Sequence, residues 1–241
     1  MTNAAEHYDR LLARHYTWMI GGIEAAVNRN RQFFSDNELG QGGGAHAIDL
    51  GAGSGAQSIA LARLGYRVSA IDTSAVLLAE LRTHSTDLTI ETTCCDMREF
   101  KRHCDTSAKI CVCMGDTLTH LSSRNEVSKL IGDIYTTLTV DGRFIVSFRD
   151  LSTPLTGLDR FLPVRSDADK IFTCMVERDD RGVIVHDLVH ERKGAEWTLH
   201  KSAYRKIELP ANWIIQTLNE QEFTVISVST DRGLTTIIAE K

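Results

Sequence analysis

From Ala45 to about Asp150 short apolar runs alternate with stretches of helical periodicity, and few folds accommodate that rhythm. Ala47 to Leu50, Val68 to Ile71, Leu88 to Cys94, Ile110 to Met114 and Phe144 to Phe148 read as strands, with room between them for crossover helices. The connectors agree. Ala56 to Leu64 stops at Gly65, Thr73-Ser74 can cap the helix carrying Val76, Leu77 and Leu81, and Ser123-Arg-Asn-Glu126 is a capping box ahead of Val127, Leu130, Ile131, Ile134 and Leu138. Repeated strand–helix units with right-handed crossovers specify a parallel sheet covered on both faces.

The flanks have a different character. Residues 4 to about 34 place Tyr8, Leu11, Leu12, Tyr16, Met19 and Ile23 at helical spacing, and Gly40-Gln-Gly-Gly-Gly44 reads as a flexible joint before the first strand. After Phe148, the runs Ile171 to Arg178, Val183 to Glu191 and Trp197 to Leu209 are separated by hairpin punctuation, so an antiparallel meander is expected. Pro210 can open a helix to about Gln221, and Thr224 to Ser229 with Leu234 to Ala239 form a closing hairpin around Asp231-Arg-Gly233. This divides the chain into a helical cap (1–44), a core (45–150), an inserted sheet (151–209) and a completing segment (210–241).

Hydrophobic residues make up 42% of the chain and charged residues 24%, values ordinary for a globular protein. The net charge of −5 comes from intermixed signs and leaves no basic field to hold a polyanion, so no nucleic acid partner is expected. The start Met1-Thr-Asn-Ala-Ala-Glu-His7 lacks the features of a signal peptide and no apolar run is long enough to span a bilayer, so a cytoplasmic protein with no membrane partner is expected. Cys111 and Cys113 lie in an apolar run as small hydrophobes, and Cys94, Cys95 and Cys104 have no CxxC spacing. His186 and His190 would stand about 13 Å apart along one strand, too far for one ion, and no metal site is expected.

The stretch Ile48-Asp-Leu-Gly-Ala-Gly-Ser-Gly55 puts three glycines in a strand-to-helix turn, where backbone can pass close to a ligand. Gly51, Gly53 and Ala56 satisfy the dinucleotide spacing G-x-G-x-x-A, with Asp72 placed as the ribose acid. Asp49, two residues before the first glycine, would repel a pyrophosphate and suit a cation. In its full form the stretch resembles motif I of the class I S-adenosylmethionine-dependent methyltransferases. That resemblance extends through Asp72 after the second strand, Asp96-Met97 after the third and Met114-Gly115-Asp116 after the fourth.

The resemblance implies a doubly wound, seven-stranded Rossmann-like α/β sheet ending in an antiparallel hairpin, with the β-meander inserted over a substrate pocket. It implies S-adenosylmethionine as cofactor, S-adenosylhomocysteine as product, and a small-molecule methyl acceptor with a nitrogen, oxygen or sulfur nucleophile. Asp49, Gly51, Ala52, Gly53, Asp72, Thr73, Asp96, Met97 and Met114 would hold the cofactor, with Tyr16 and Trp18 on a lid helix beside Tyr8. His120, Asp116 and Arg149 are the candidates at the reacting end, His120 because an ordinary imidazole can take a proton near neutrality. Tyr204 and Trp197 are candidates for the substrate pocket. A nicotinamide-dependent oxidoreductase and a non-catalytic cofactor-binding protein are the competing readings.

Overall fold

The computed structural model describes residues 4–104 and 107–241; the first three residues of the expected cap lie outside that range. Strands β1 (His46–Leu50), β2 (Arg67–Asp72), β3 (Ile90–Cys94), β4 (Ala108–Cys113) and β5 (Leu138–Arg149) pair in parallel. β10 (Thr224–Asp231) and β11 (Leu234–Glu240) close the sheet as an antiparallel hairpin, giving the order β10-β11-β5-β4-β1-β2-β3. Helices α4 (Ala56–Arg63), α5 (Ala75–His84) and α6 (Arg124–Thr137) occupy crossovers, and α7 (Ala211–Glu220) leads into the hairpin.

The alternation of side chains along each strand sorts the core into two layers. Ile48, Leu50, Cys111, Cys113, Phe144, Val146 and Phe148 pack toward α6 and α7. Ala47, Ile110, Val112 and Ile145 point the other way, onto α4 and onto α3 (Ile23–Asp36), which precedes the sheet. Cys111 and Cys113 are thus core filler, and all five residues of β1 are buried.

The helical cap expected over residues 4 to about 34 forms in several pieces. α1 (Ala4–His7), a π-helical turn (Tyr8–Leu12) and α2 (Ala13–Met19) precede a break at Gly21-Gly22, after which α3 begins. The glycine run before β1 is also more ordered than a flexible joint. Gly42 N–H donates to Leu64 O at 2.7 Å and Gly44 N–H to Gly65 O at 2.8 Å, stitching the run to the end of α4.

The inserted sheet has four strands where three were expected: β6 (Phe161–Ser166), β7 (Lys170–Asp179), β8 (Gly182–Lys193) and β9 (Glu196–Lys206), in that order. Pro163 weakened the strand pattern of β6, and an edge position is where a sheet tolerates a residue without an N–H. Among the described residues no helix is long and apolar enough to cross a membrane.

The completing segment is welded to the core by aromatic packing. Phe223, almost fully buried, meets Tyr135 of α6 edge-on at 5.0 Å and lies 6.0 Å from Phe144 of β5. Phe223→Ala is expected to cost about 3–5 kcal/mol of stability in urea unfolding. A loss below about 1 kcal/mol would show that residues 210–241 are not integral to the core.

Candidate functional site

A parallel sheet releases its chain into loops at the carboxyl ends of its strands, and the site is built there. The turn after β1 carries Gly51 (φ 77°) and Gly53 (φ 54°). A Cβ on Gly51 would stand 2.2 Å from Cγ2 of Thr117, and one on Gly53 would stand 3.0 Å from Cε1 of Tyr16. The missing side chains therefore make room first for the protein itself, for the loop after β4 and for α2.

Between these elements lies a cavity of about 340 Å³, lined by Tyr8, Tyr16, Gly51, Gly53, Ile71, Asp72, Thr73, Leu77, Cys95, Asp96, Met97, Arg98, Thr117, His120, Leu121, Ser122 and Glu126. Of the residues singled out in the sequence, Tyr8, Tyr16, Gly51, Gly53, Asp72, Thr73, Asp96, Met97 and His120 are brought together around it.

Asp72, at the end of β2, ties two turns to one carboxylate. Its Oδ2 accepts from Gly53 N–H and its Oδ1 from Ser74 N–H, each at 2.8 Å. Ser74 in turn caps α5 through Leu77 N–H. After β3, Asp96 caps a 3₁₀ turn (Met97–Arg102), accepting from Arg98 N–H at 2.8 Å and from the Arg98 guanidinium at 2.7 and 2.9 Å. The hydrogen bonds from Arg98 hold the Asp96 carboxyl below its usual range.

The same guanidinium reaches Glu126 at 2.5 Å, so the rim carries an Asp96–Arg98–Glu126 cluster that sequence reading missed. Glu126 was legible only as part of a capping box. Ser123 does accept from Glu126 N–H, but the Glu126 carboxylate turns to Ser122 N–H and Oγ, leaving it at the cavity rim.

Eight sequence candidates lie outside the lining. Trp18 donates to Asp167 and sits under the cations of Arg165 and Lys170 at the cap–insert boundary. Ala52 is packed with Ala70, Leu78 and Leu81, and Met114 packs against the α3–α4 layer. Asp116 is buried in an ion pair with Lys206 of β9, and its Oδ1 also accepts from Arg149 N–H at 3.0 Å. The Arg149 side chain turns outward to Arg232 O. Trp197, the pocket candidate on β9, is 46% exposed beneath Arg192. Tyr204 is buried one ring behind the lining, 5.4 Å from His120.

His120 lines the cavity with its Nδ1 buried and, among the described residues, without a hydrogen-bond partner. Burial, reinforced by Lys206 and opposed by Asp116, lowers its pKa to about 3. The ordinary imidazole basicity that recommended it from sequence is thus removed by its surroundings. Burial likewise pushes the Tyr8 and Tyr16 hydroxyls upward, so both stay protonated.

Asp49, the eighth candidate outside the lining, faces α4 from β1 and accepts from Ser58 Oγ at 2.6 Å. Burial raises its pKa to about 7, against the bond from Ser58. The folded chain therefore keeps this proton to higher pH than the unfolded chain, whose Asp ionises near pH 4, and stability falls as pH rises from about 4 to about 7. Asp49→Asn, which keeps an acceptor for Ser58, is expected to lose less stability than the wild type between about pH 5 and pH 8, by roughly 1–3 kcal/mol. Urea denaturation at both pH values measures this, and identical losses in the two proteins would contradict it.

A family model described as a methyltransferase domain matches residues 47–142. Over 114 residues the chain is 29% identical to a glycine/sarcosine N-methyltransferase of Aphanothece halophytica, an alignment covering 46% of this chain and 43% of that one. In three dimensions it is similar to an S-adenosylmethionine-dependent methyltransferase from Clostridium acetobutylicum, with a TM-score of 0.72, 15% identity and coverage of 98% and 96% of the two chains. An S-adenosylmethionine-bound amino pentose methyltransferase from Micromonospora echinaspora superposes with a TM-score of 0.67 at 14% identity, over 100% and 97% of the two chains. A sugar N-methyltransferase from Streptoalloteichus does so with a TM-score of 0.69 at 14% identity, over 97% and 93%. Residues 47–142, which hold the glycine turn and the strand-end acids, thus match a methyltransferase domain, and nearly the whole chain shares the fold of an S-adenosylmethionine-dependent methyltransferase.

Proposed function

We propose that the chain transfers a methyl group from S-adenosylmethionine to a nitrogen, oxygen or sulfur nucleophile of a small molecule. The observation that carries this reading is the charge of the cavity lining. Three carboxylates, Asp72, Asp96 and Glu126, face it with one guanidinium, and that guanidinium is committed to two of them. Such a lining suits a cationic nucleoside and opposes the pyrophosphate of a nicotinamide dinucleotide.

The residues present fit that cofactor. A carboxylate offers about four acceptor sites, so Asp72 can hold the glycine turn and a ribose diol together. Asp96 and Met97 line the cavity and would hold the adenine edge, and the Tyr16 ring beside Gly53 would attract a sulfonium. When bound, S-adenosylmethionine supplies a methyl group already activated for displacement. The chain's part is alignment and exclusion of water, with Tyr8, Tyr16, His120 and Leu121 closing the cavity.

A base whose conjugate acid has a pKa near 3 removes protons poorly at neutral pH, so His120 serves to orient the acceptor through a neutral imidazole. Amines are the acceptor class we favour, because the relative and a structural neighbour are both named N-methyltransferases.

Two measurements test this reading. Asp72→Ala is expected to weaken S-adenosylhomocysteine binding by about 1.5–3 kcal/mol in calorimetry, with its fold checked by circular dichroism. Unchanged affinity in the folded variant refutes the assignment. In turnover assays with a labelled methyl donor and panels of amines, phenols, thiols and carboxylates, His120→Asn should retain at least about a tenth of the wild-type rate. A drop of 10²–10⁴-fold, the usual consequence of losing a general base, would restore His120 to that role. Tight cofactor binding without turnover on any acceptor would favour the non-catalytic reading.

A further inference from the structure

The helical cap rests on the inserted sheet. Leu11 and Leu12 are buried against Phe172 of β7 and Val189 of β8. Pairing places Phe172 opposite Val189, Cys174 opposite Asp187 and Val185 opposite Tyr204, so Phe172, Val176, Val185, Val189 and Tyr204 share one sheet face with Asp187. Asp187, 1% exposed, is thus a carboxylate set into a largely apolar face. A charge in that position is costly unless it is paired and hydrogen-bonded.

Its partners come from two directions. Cys174 donates from the neighbouring strand at 2.9 Å, and His7, wholly buried on α1, lies with Nε2 2.7 Å from Asp187 Oδ2. The His7 ring also rests 4.2 Å from the ring of Tyr204, which is 5.4 Å from His120. Tyr8, the next residue along the chain, lines the cavity and meets His120 edge-on at 5.7 Å. Apolar contact alone would let the cap slide over the sheet, whereas a buried directional pair admits one seating.

We propose that His7 and Asp187 are positioning residues, a latch that seats the cap on the inserted sheet and thereby sets Tyr8 against His120 over the cavity. The proposal rests on the cavity being the site of an adenosyl ligand, and its test separates the two claims.

Hydrogen exchange of the ligand-free chain reads the latch directly, and calorimetry with S-adenosylhomocysteine reads its consequence for the site. His7 lies outside both sheets, so His7→Ala can release the cap without unfolding the core. Exchange of amides 8–19 is expected to rise at least about tenfold while that of β1, β4 and β5 is unchanged, and the ligand is expected to bind about tenfold more weakly. His7→Gln, whose amide can still donate to Asp187, should recover most of the protection and the affinity. Asp187→Asn combined with His7→Ala should lose no more affinity than His7→Ala alone.

Unchanged exchange in His7→Ala overturns the latch. Raised exchange with unchanged affinity overturns the positioning role. If the wild type itself fails to bind S-adenosylhomocysteine, the methyltransferase reading falls and the exchange data alone decide for or against the latch. Should Asp187→Asn not fold, His7→Ala and His7→Gln decide the matter by themselves.

Discussion

β1 lies between β2 and β4, paired in parallel to both, with every residue buried. A strand in that position has no exposed edge and no solvated face, so its chain can turn toward ligand only past its carboxyl end. The glycine turn follows from this. It must leave the sheet, clear Thr117 on one side and Tyr16 on the other, and enter α4 within a few residues. Asp72, from the neighbouring strand, holds the turn at Gly53 and starts α5 at Ser74 with the same carboxylate. One acid thereby couples the shape of the cavity floor to the packing of the sheet.

The cavity roof has a separate origin. The cap and the inserted sheet, at opposite ends of the sequence core, meet through Leu11, Leu12, Phe172 and Val189 and through the His7–Asp187 pair. Lys206 extends the same sheet face to Asp116 in the loop after β4. The His7–Asp187 pair thus joins the two parts of the roof and the Lys206–Asp116 ion pair joins roof to floor, and both stand within one ring of His120. The low basicity of His120 follows from that enclosure, since burial and a neighbouring ammonium both disfavour its charged form.

Much of the floor was legible in order along the chain. Glycine spacing, strand-end acids and apolar runs report local requirements, namely positive φ, exposed carboxyl ends and burial on both faces. Gly51, Gly53 and Asp72 were found on those grounds, Asp96 and Met97 followed from the family resemblance, and all five face the cavity. Arg98 and Glu126 were missed because their pairing closes over 28 residues and leaves no local pattern. Trp18 and Trp197 were misplaced because an aromatic residue in a periodic segment carries no mark of which neighbour it meets, and both ended beside cations near the surface. β6 was hidden by Pro163, whose tolerance depends on lying at the edge of a sheet not yet assembled.

Residue order alone determined the alternation of strands and helices and the site of the turn, because each is set by contacts within a few residues. Only the tertiary structure decided that Asp49 turns to Ser58 instead of the cavity, that His120 is enclosed and neutral, and that His7 meets Asp187 across 180 residues. Burial and charge pairing between distant segments shift proton affinities and orient side chains, and those quantities exist only once the layers have closed on one another.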